Sequence, residues 1–254
     1  MIASDILDRV SMQLNDQGRV RWTLPMLLNY LTDAMRQTVL ARPDANARAH
    51  VVKLTPGSTR QRIPEGSLMF LAMVRNMGPD GLTPGRPIEP TTREAMNTLA
   101  SGWHLEFGSE EIDQYAFVQA TPDCFWVTPP PGESVFVEIE CADDIPQMRS
   151  LADALPLSGI WAEPLREYVL YRAYSLNATS AADRGRATEH LQQYYVALGY
   201  EDRARVLGNP TVPTAFRVRN GYAARFFSTC NGAGRVVPHA VRTEQCPLGR
   251  QEIP

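Results

Sequence analysis

Pro164-Leu165-Arg166-Glu167-Tyr168-Val169-Leu170-Tyr171-Arg172-Ala173-Tyr174-Ser175-Leu176 is the stretch on which the fold turns. Leu165, Val169, Ala173 and Leu176 recur every three or four residues, the period of one helix face, and Pro164 falls early enough to sit in the first turn. Ser180-Ala181-Ala182-Asp183 follows at once and resembles a capping box that opens a second helix. In that helix Ala187, Leu191, Tyr194 or Tyr195, and Leu198 point inward, and Gly199 is placed as its stop. Two helices joined so briefly lie antiparallel. Neither buries its stripe alone, so the partner surface must come from elsewhere in the chain.

The far end supplies it. Ile2, Ile6, Val10 and Leu14 recur at i+4 and predict a short amphipathic helix, with Ser4 as a candidate cap and a stop by Gly18. Thr23 is placed to cap a second helix that tolerates Pro25 in its first turn and carries a wide stripe of Leu24, Leu27, Leu28, Leu31, Met35 and Val39. Pro43 ends it.

Between these ends the period changes to two, with turn residues at short intervals, which predicts a sheet built from hairpins. Val51 to Leu54 and Arg60 to Ile63 flank the turn Thr55-Pro56-Gly57-Ser58, where Gly57 can supply a positive φ. Leu68 to Arg75 reads as a buried strand or a short helix. Asp80-Gly81 marks a loop, and Thr91 with Glu94 fits a capping box for a short inserted helix over Thr92 to Leu99. Tyr115 to Val118, Cys124 to Val127 and Val135 to Cys141 complete the strands. In the last of these Val135, Val137, Ile139 and Cys141 share one face, and Phe136, Glu138 and Glu140 the other, wet one. The expected architecture is α+β: N-terminal helices over residues 1–49, a β-rich insertion over 50–145, and a C-terminal helical hairpin over 146–199 that completes a helical bundle with the N-terminal helices.

Residues 200–254 differ in kind. They hold eight arginines against four acids, +4, so the net charge of −3 leaves −7 on residues 1–199. Glycines and prolines are spaced so that no long helix fits between them, which predicts an extended basic arm. No window has the roughly 18 uninterrupted apolar residues of a membrane span, and the start Met1-Ile2-Ala3-Ser4-Asp5 has no secretory character, so folding in a reducing cytoplasm is expected, away from any membrane. Cys124, Cys141, Cys230 and Cys246 form no CxxC and give no reason for a zinc site or a disulfide framework.

Signatures of catalysis were sought and not found. There is no GxSxG elbow, no HExxH and no GxxxxGK[ST]; the glycines at 78, 81 and 85 run into Arg86-Pro87 without a phosphate-binding lysine. His50, His104, His190 and His239 stand singly, each read as a surface group or a satisfied partner. Asp143-Asp144 and Glu110-Glu111-Asp113 read as solvated loops rather than cation sites. A helix-turn-helix with Arg184 and Arg186 is disfavoured, because an acidic body repels a phosphate backbone. No cofactor, metal or catalytic residue is expected.

The same residues form an ordered series: Asp5-Ile6-Leu7, Leu14-Asn15-Asp16, Arg21-Trp22-Thr23, Leu27-Leu28, Asp33-Ala34 and Arg42-Pro43-Asp44-Ala45. It continues through Gly57, Gln61, Ile63-Pro64, Val74-Arg75-Asn76-Met77-Gly78, Gly85-Arg86-Pro87-Ile88, Trp103, Phe125-Trp126-Val127 and Pro129-Pro130. Leu155-Pro156-Leu157, the run Leu165 to Ser175, and Leu198-Gly199 close it. Over about residues 2–199 the chain resembles the tail-adaptor, or head-to-tail connector, family of tailed bacteriophages, particularly short-tailed ones; the arm resembles nothing recognisable.

That resemblance implies a non-enzymatic virion protein of the neck, assembled in the host cytoplasm. Twelve copies would ring the portal, join it to the nozzle or tail tube, and line a channel that passes genome DNA without reading its sequence. A ring contact needs two complementary faces per copy. Helix faces bearing Tyr168, Tyr171 and Tyr195 are the expected subunit interface, and Arg217, Arg219, Arg225, Phe226 and Phe227 of the arm the expected docking residues for the portal or an adjacent subunit. The competing readings are a nucleic-acid-binding protein that uses the basic arm and, behind it, a hydrolase with an unrecognised carboxylate site.

Overall fold

Helical periodicity at both ends of the chain becomes four helices around one core. The structure is a computed structural model that describes residues 1–99, 102–176, 180–201 and 203, all within a compact unit spanning residues 1–213. The elements are α1 (Ala3–Gln13), α2 (Leu24–Ala41), β1 (Ala47–Lys53), β2 (Arg60–Arg62), β3 (Ser67–Met77), β4 (Pro84–Pro87), β5 (Glu89–Thr91), α3 (Arg93–Leu99), β6 (Gln114–Phe117), β7 (Cys124–Thr128), β8 (Phe136–Asp143), α4 (Ala162–Leu176) and α5 (Ala181–Ala197). The architecture is mixed α+β. The arm expected over 200–254 lies, but for its first residues, outside the described residues.

Helices α1, α2, α4 and α5 contribute to a single apolar cluster. Leu165, Val169 and Ala173 are fully buried in it, but Leu176 is 55% exposed, so the stripe ends one turn before the helix does. In α1 the buried set is Ala3, Ile6, Leu7, Val10 and Ser11, while Ile2 lies outside the helix and is exposed. The Asp5 carboxylate accepts from Ile2 N–H at 2.8 Å, so the cap is built from Asp5 reaching back and not from Ser4, which lies within the helix. Thr23 does stand at the N-cap of α2, with Pro25 in the first turn, yet its side chain makes no capping bond. Ser180 caps α5, its Oγ accepting from Asp183 N–H at 3.0 Å. Gly199 (φ +81°) ends the same helix, with Gly199 N–H donating to Val196 and Tyr200 N–H to Tyr195, the paired bonds of a Schellman motif. Residues 168 and 194, then 174 and 186, face each other across α4 and α5, which is antiparallel packing.

The strands form two sheets, in the orders β1-β8-β3-β4 and β2-β7-β6-β5. The expectation of a hairpin across residues 55–58 is therefore corrected: β1 pairs with β8 and β2 with β7, and the turn carries the chain from one sheet to the other. Gly57 does take positive φ there, +67°. The turn is held by buried Gln61, whose amide accepts from Thr55 N–H at 2.8 Å and donates to the Thr55 and Ser58 carbonyls. A local side-chain clamp thus takes the place of hairpin pairing. Residues 67–77 are a strand, which resolves the strand-or-helix choice. The inserted helix is capped by Thr92, accepting from Ala95 N–H at 3.1 Å, and not by Thr91.

The sheets pack face to face, with Phe70 stacked on Phe125 at 4.8 Å between ring centres and Val137, Ile139 and Cys141 fully buried between them. Strand β3 faces both ways: Phe70 and Met73 enter this inter-sheet core, whereas Met69 and Leu71 pack on the helices. The alternation along a strand lets one sheet serve two cores. Farther along, Glu138 and Glu140 keep the outer face wet, with Arg75 paired to Glu138 at 2.8 Å.

Candidate assembly surfaces

The arrangement closest to a catalytic one lies where three strands meet. His50 on β1 and Ser67 on β3 both bond the same oxygen of Asp143 on β8, each at 2.8 Å. A nucleophilic triad needs histidine between hydroxyl and carboxylate; here the carboxylate is central, so the cluster pins three strands together and activates nothing. Cys141 beside it is fully buried, and burial pushes its thiol up to about 12, the opposite of a reactive cysteine. Glu111 and Asp113 are engaged by Arg86, and Asp144 accepts from Ile145 N–H at 2.7 Å. Among the described residues no group of three or more His, Cys, Asp and Glu could hold a metal ion, and no helix is long and apolar enough to cross a membrane.

Several residues of the ordered series are architectural. The Asp16 carboxylate accepts from the N–H groups of Val20, Arg21 and Trp22 at 2.9–3.0 Å, and those donors, Trp22 foremost, hold its carboxyl below the usual range against the opposing effect of desolvation. The loop it shapes aims Trp22 into the helical core, where Nε1–H donates to the Ala173 carbonyl at 3.2 Å. Arg42 forks onto Asp44 at 2.8 and 2.9 Å, donates to the last carbonyl of α5 at Leu198, and lies over the Trp161 ring. Buried Asn76 exchanges two 2.8 Å bonds with the Ile112 backbone, as a strand neighbour would.

Aromatic side chains gather where α4 meets α5. Tyr168 touches Tyr171 and Tyr194 edge-on, and Tyr194 touches Tyr195, all with ring centres 5.2–5.5 Å apart. Tyr194 is the inward residue of its pair, and burial raises its phenol well above the usual tyrosine range. Tyr168 is buried, while Tyr171 and Tyr195 are half-buried and reach the surface. One turn away Glu167 is buried against His190 Nδ1 at 2.7 Å and Arg166 at 3.0 Å. Burial works against its ionisation, but these two hydrogen bonds outweigh it and hold the carboxyl below its ordinary value. Tyr174 stacks flat on the His190 ring.

Two shallow clefts open on the surface, one beside α4 and α5 and one in the β-rich part. One of about 210 Å³ is lined by Asn15, Arg21, Trp22, Tyr174, Asp183 and Arg186. The other, about 280 Å³, opens between Met96, Trp103, Glu106, Asp113 and Pro129, beside the exposed Leu105 and Phe107. Sequence reading missed that apolar pair, since an exposed and a buried phenylalanine are written alike. Arg217, Arg219, Arg225, Phe226 and Phe227 lie outside the described residues.

Residues 1–214 match the model of the family described as SU10 adaptor protein. The chain belongs to the SU10 adaptor protein family. No curated protein matches it. Membership makes the chain a phage tail adaptor, a structural component of the virion neck that functions through other head–tail proteins. Asp16, Trp22, Arg42, Gln61 and Asn76 of the ordered series each hold a turn or a junction together.

Proposed function

We propose that twelve copies close into a ring that joins the portal to the nozzle or tail tube of a short-tailed phage and lines the channel for its genome. The family match over residues 1–214 carries this reading. Neighbouring copies would meet along the α4/α5 face: Tyr171 and Tyr195 offer half-buried rings with polar tips, and Tyr168 supports them from beneath. The basic arm, through Arg217, Arg219, Arg225, Phe226 and Phe227, would dock on the portal or an adjacent subunit. Acidic residues of the −7 body would face the lumen and keep DNA from adhering. Assembly would take place in the host cytoplasm.

Mixing the purified chain with portal and imaging the product tests the reading. Twelvefold rings on the portal are expected, and removing residues 205–254 should abolish docking while leaving the remainder folded. Lone copies in the presence of portal, combined with salt-sensitive retardation of DNA, would replace it with the nucleic-acid-binding reading.

A further inference from the structure

The sheet edges differ in a way the packing does not require. Strand β4 is bounded by Pro84 and Pro87, β5 contains Pro90, and β2 is three residues long. Short strands and prolines are how natural sheets close their edges to other chains. The fourth edge, β1, has seven residues without proline, and its register with β8 runs from Ala47 to Lys53 without a bulge, whereas β3 against β8 is irregular at three places.

Leu54 N–H donates to the Val135 carbonyl, and Leu54 and Val135 are opposite one another in continuation of this register. Bonded and unbonded pairs alternate along an antiparallel ladder, so Val52, His50 and Arg48 point their backbone groups at β8. Ala47, Ala49, Val51 and Lys53 point theirs outward. These four residues are exposed, and none has a backbone partner on that side among the described residues. Beside this edge the outer face of the sheet carries Glu140 opposite Ala49 and Glu138 opposite Val51, Glu138 being paired with Arg75, and Lys53 stands at the end of the same row.

The chain carries a segment that fits. Thr214-Ala215-Phe216-Arg217-Val218-Arg219 alternates apolar and basic residues between Pro213 and Asn220-Gly221. Six residues extend about 20 Å, nearly the length of β1. Added to β1, such a strand would place β8 about 10 Å away, within reach of arginine side chains laid over the small Ala49. The alternation then puts Phe216 and Val218 on the opposite face, beside half-buried Val52. From Arg203, the last described residue, the connection to Thr214 extends to at most about 40 Å, long enough to leave its own copy.

We infer that the open edge of β1 accepts residues 214–219 of a second copy of this chain as an added strand, with Arg217 and Arg219 facing Glu138 and Glu140. The inference rests on the reading that copies associate. It divides the arm: the first segment clasps a neighbouring copy, which leaves Arg225, Phe226 and Phe227 for the portal.

Residue-resolved amide exchange on the full chain, followed with sedimentation from low micromolar to several hundred micromolar protein, tests it. The Ala49 and Val51 amides should exchange at least about tenfold more slowly as association sets in, while those of His50 and Val52 are slow throughout. Ala49→Pro removes an outward donor without touching the β8 ladder, so it should abolish association. Arg217→Glu with Arg219→Glu should do the same from the arm, with partial rescue by Glu140→Arg, which keeps the test valid if the proline variant does not fold. Slow Ala49 and Val51 exchange in the monomer, or a chain that stays monomeric at every concentration, would overturn the inference. Rings on the portal with fast-exchanging Ala49 and Val51 would overturn it and leave the adaptor reading standing.

Discussion

Asn76 shows how a single side chain does the work of a strand. Its amide donates to and accepts from the Ile112 backbone and also reaches the Arg86 carbonyl. Asn76→Ala leaves a buried N–H and C=O unsatisfied, so it should destabilise the chain by about 1–3 kcal/mol, read as a lower denaturant midpoint. Glu167 makes a prediction about pH. Its folded carboxyl titrates below its ordinary value of 4.5, so its stabilising contribution is fully present above that pH and is lost as the pH falls through the folded value. Thermal midpoints measured from neutral pH downward should drop in this acid window, and Glu167→Gln should flatten that part of the profile. Gln61, Asp16 and Arg42 belong with Asn76: the sequence shows polar residues in turn-like surroundings, and only their hydrogen bonds, local for Gln61 and Asp16 and distant for Arg42 and Asn76, reveal that they are fastenings.

At the scale of elements, the ends of α5 were readable from Ser180 and Gly199, while the caps of α1 and α3 and the strand partners were not. Gly199 was placed from spacing alone, because a stop after an apolar period asks for a residue that tolerates positive φ. Among the described residues no atom other than those of its chain neighbours lies within 4 Å of the position a Cβ would occupy there, so the cost of Gly199→Ala expected from them is conformational. It should lower stability by about 1 kcal/mol, measurable by chemical denaturation, with local loosening of the α5 end in amide exchange. The pairing of β1 with β8 and of β2 with β7 was invisible for a different reason. Period-two patterning reports which face of a strand is buried and carries nothing about which neighbour lies alongside. The turn at residues 55–58 has hairpin chemistry, yet the two sheets take its flanking strands apart so that Leu54 and Phe125 can enter one core.

The whole molecule is an acidic body joined to a basic end, and its function is a matter of surfaces. With attraction between arm and body of unlike charge, association of copies should weaken as salt rises. Sedimentation at increasing ionic strength should show the oligomer fraction fall; indifference to salt would assign the contact to the apolar α4/α5 face alone. The family resemblance was legible in the sequence because the short motifs that carry it, those around Asp16, Trp22, Arg42 and Asn76 among them, are local and ordered along the chain. The assembly surfaces were legible only in part. The tyrosines of α4 and α5 stood out, but their exposure did not, and Tyr194 rather than Tyr195 turned inward.

By itself the sequence determined the helices at both ends, the strands between them, the charge division and the family, since each is written in local periodicity, capping residues or ordered short motifs. The tertiary structure alone decided that β3 serves two cores, that Ser67, Asp143 and His50 make a clamp and not a triad, and that β1 is a sheet edge without proline and without a second strand partner among the described residues. Those outcomes depend on which distant residues become neighbours, and neighbourhood is settled by the packing of whole layers, not by any stretch of chain read alone.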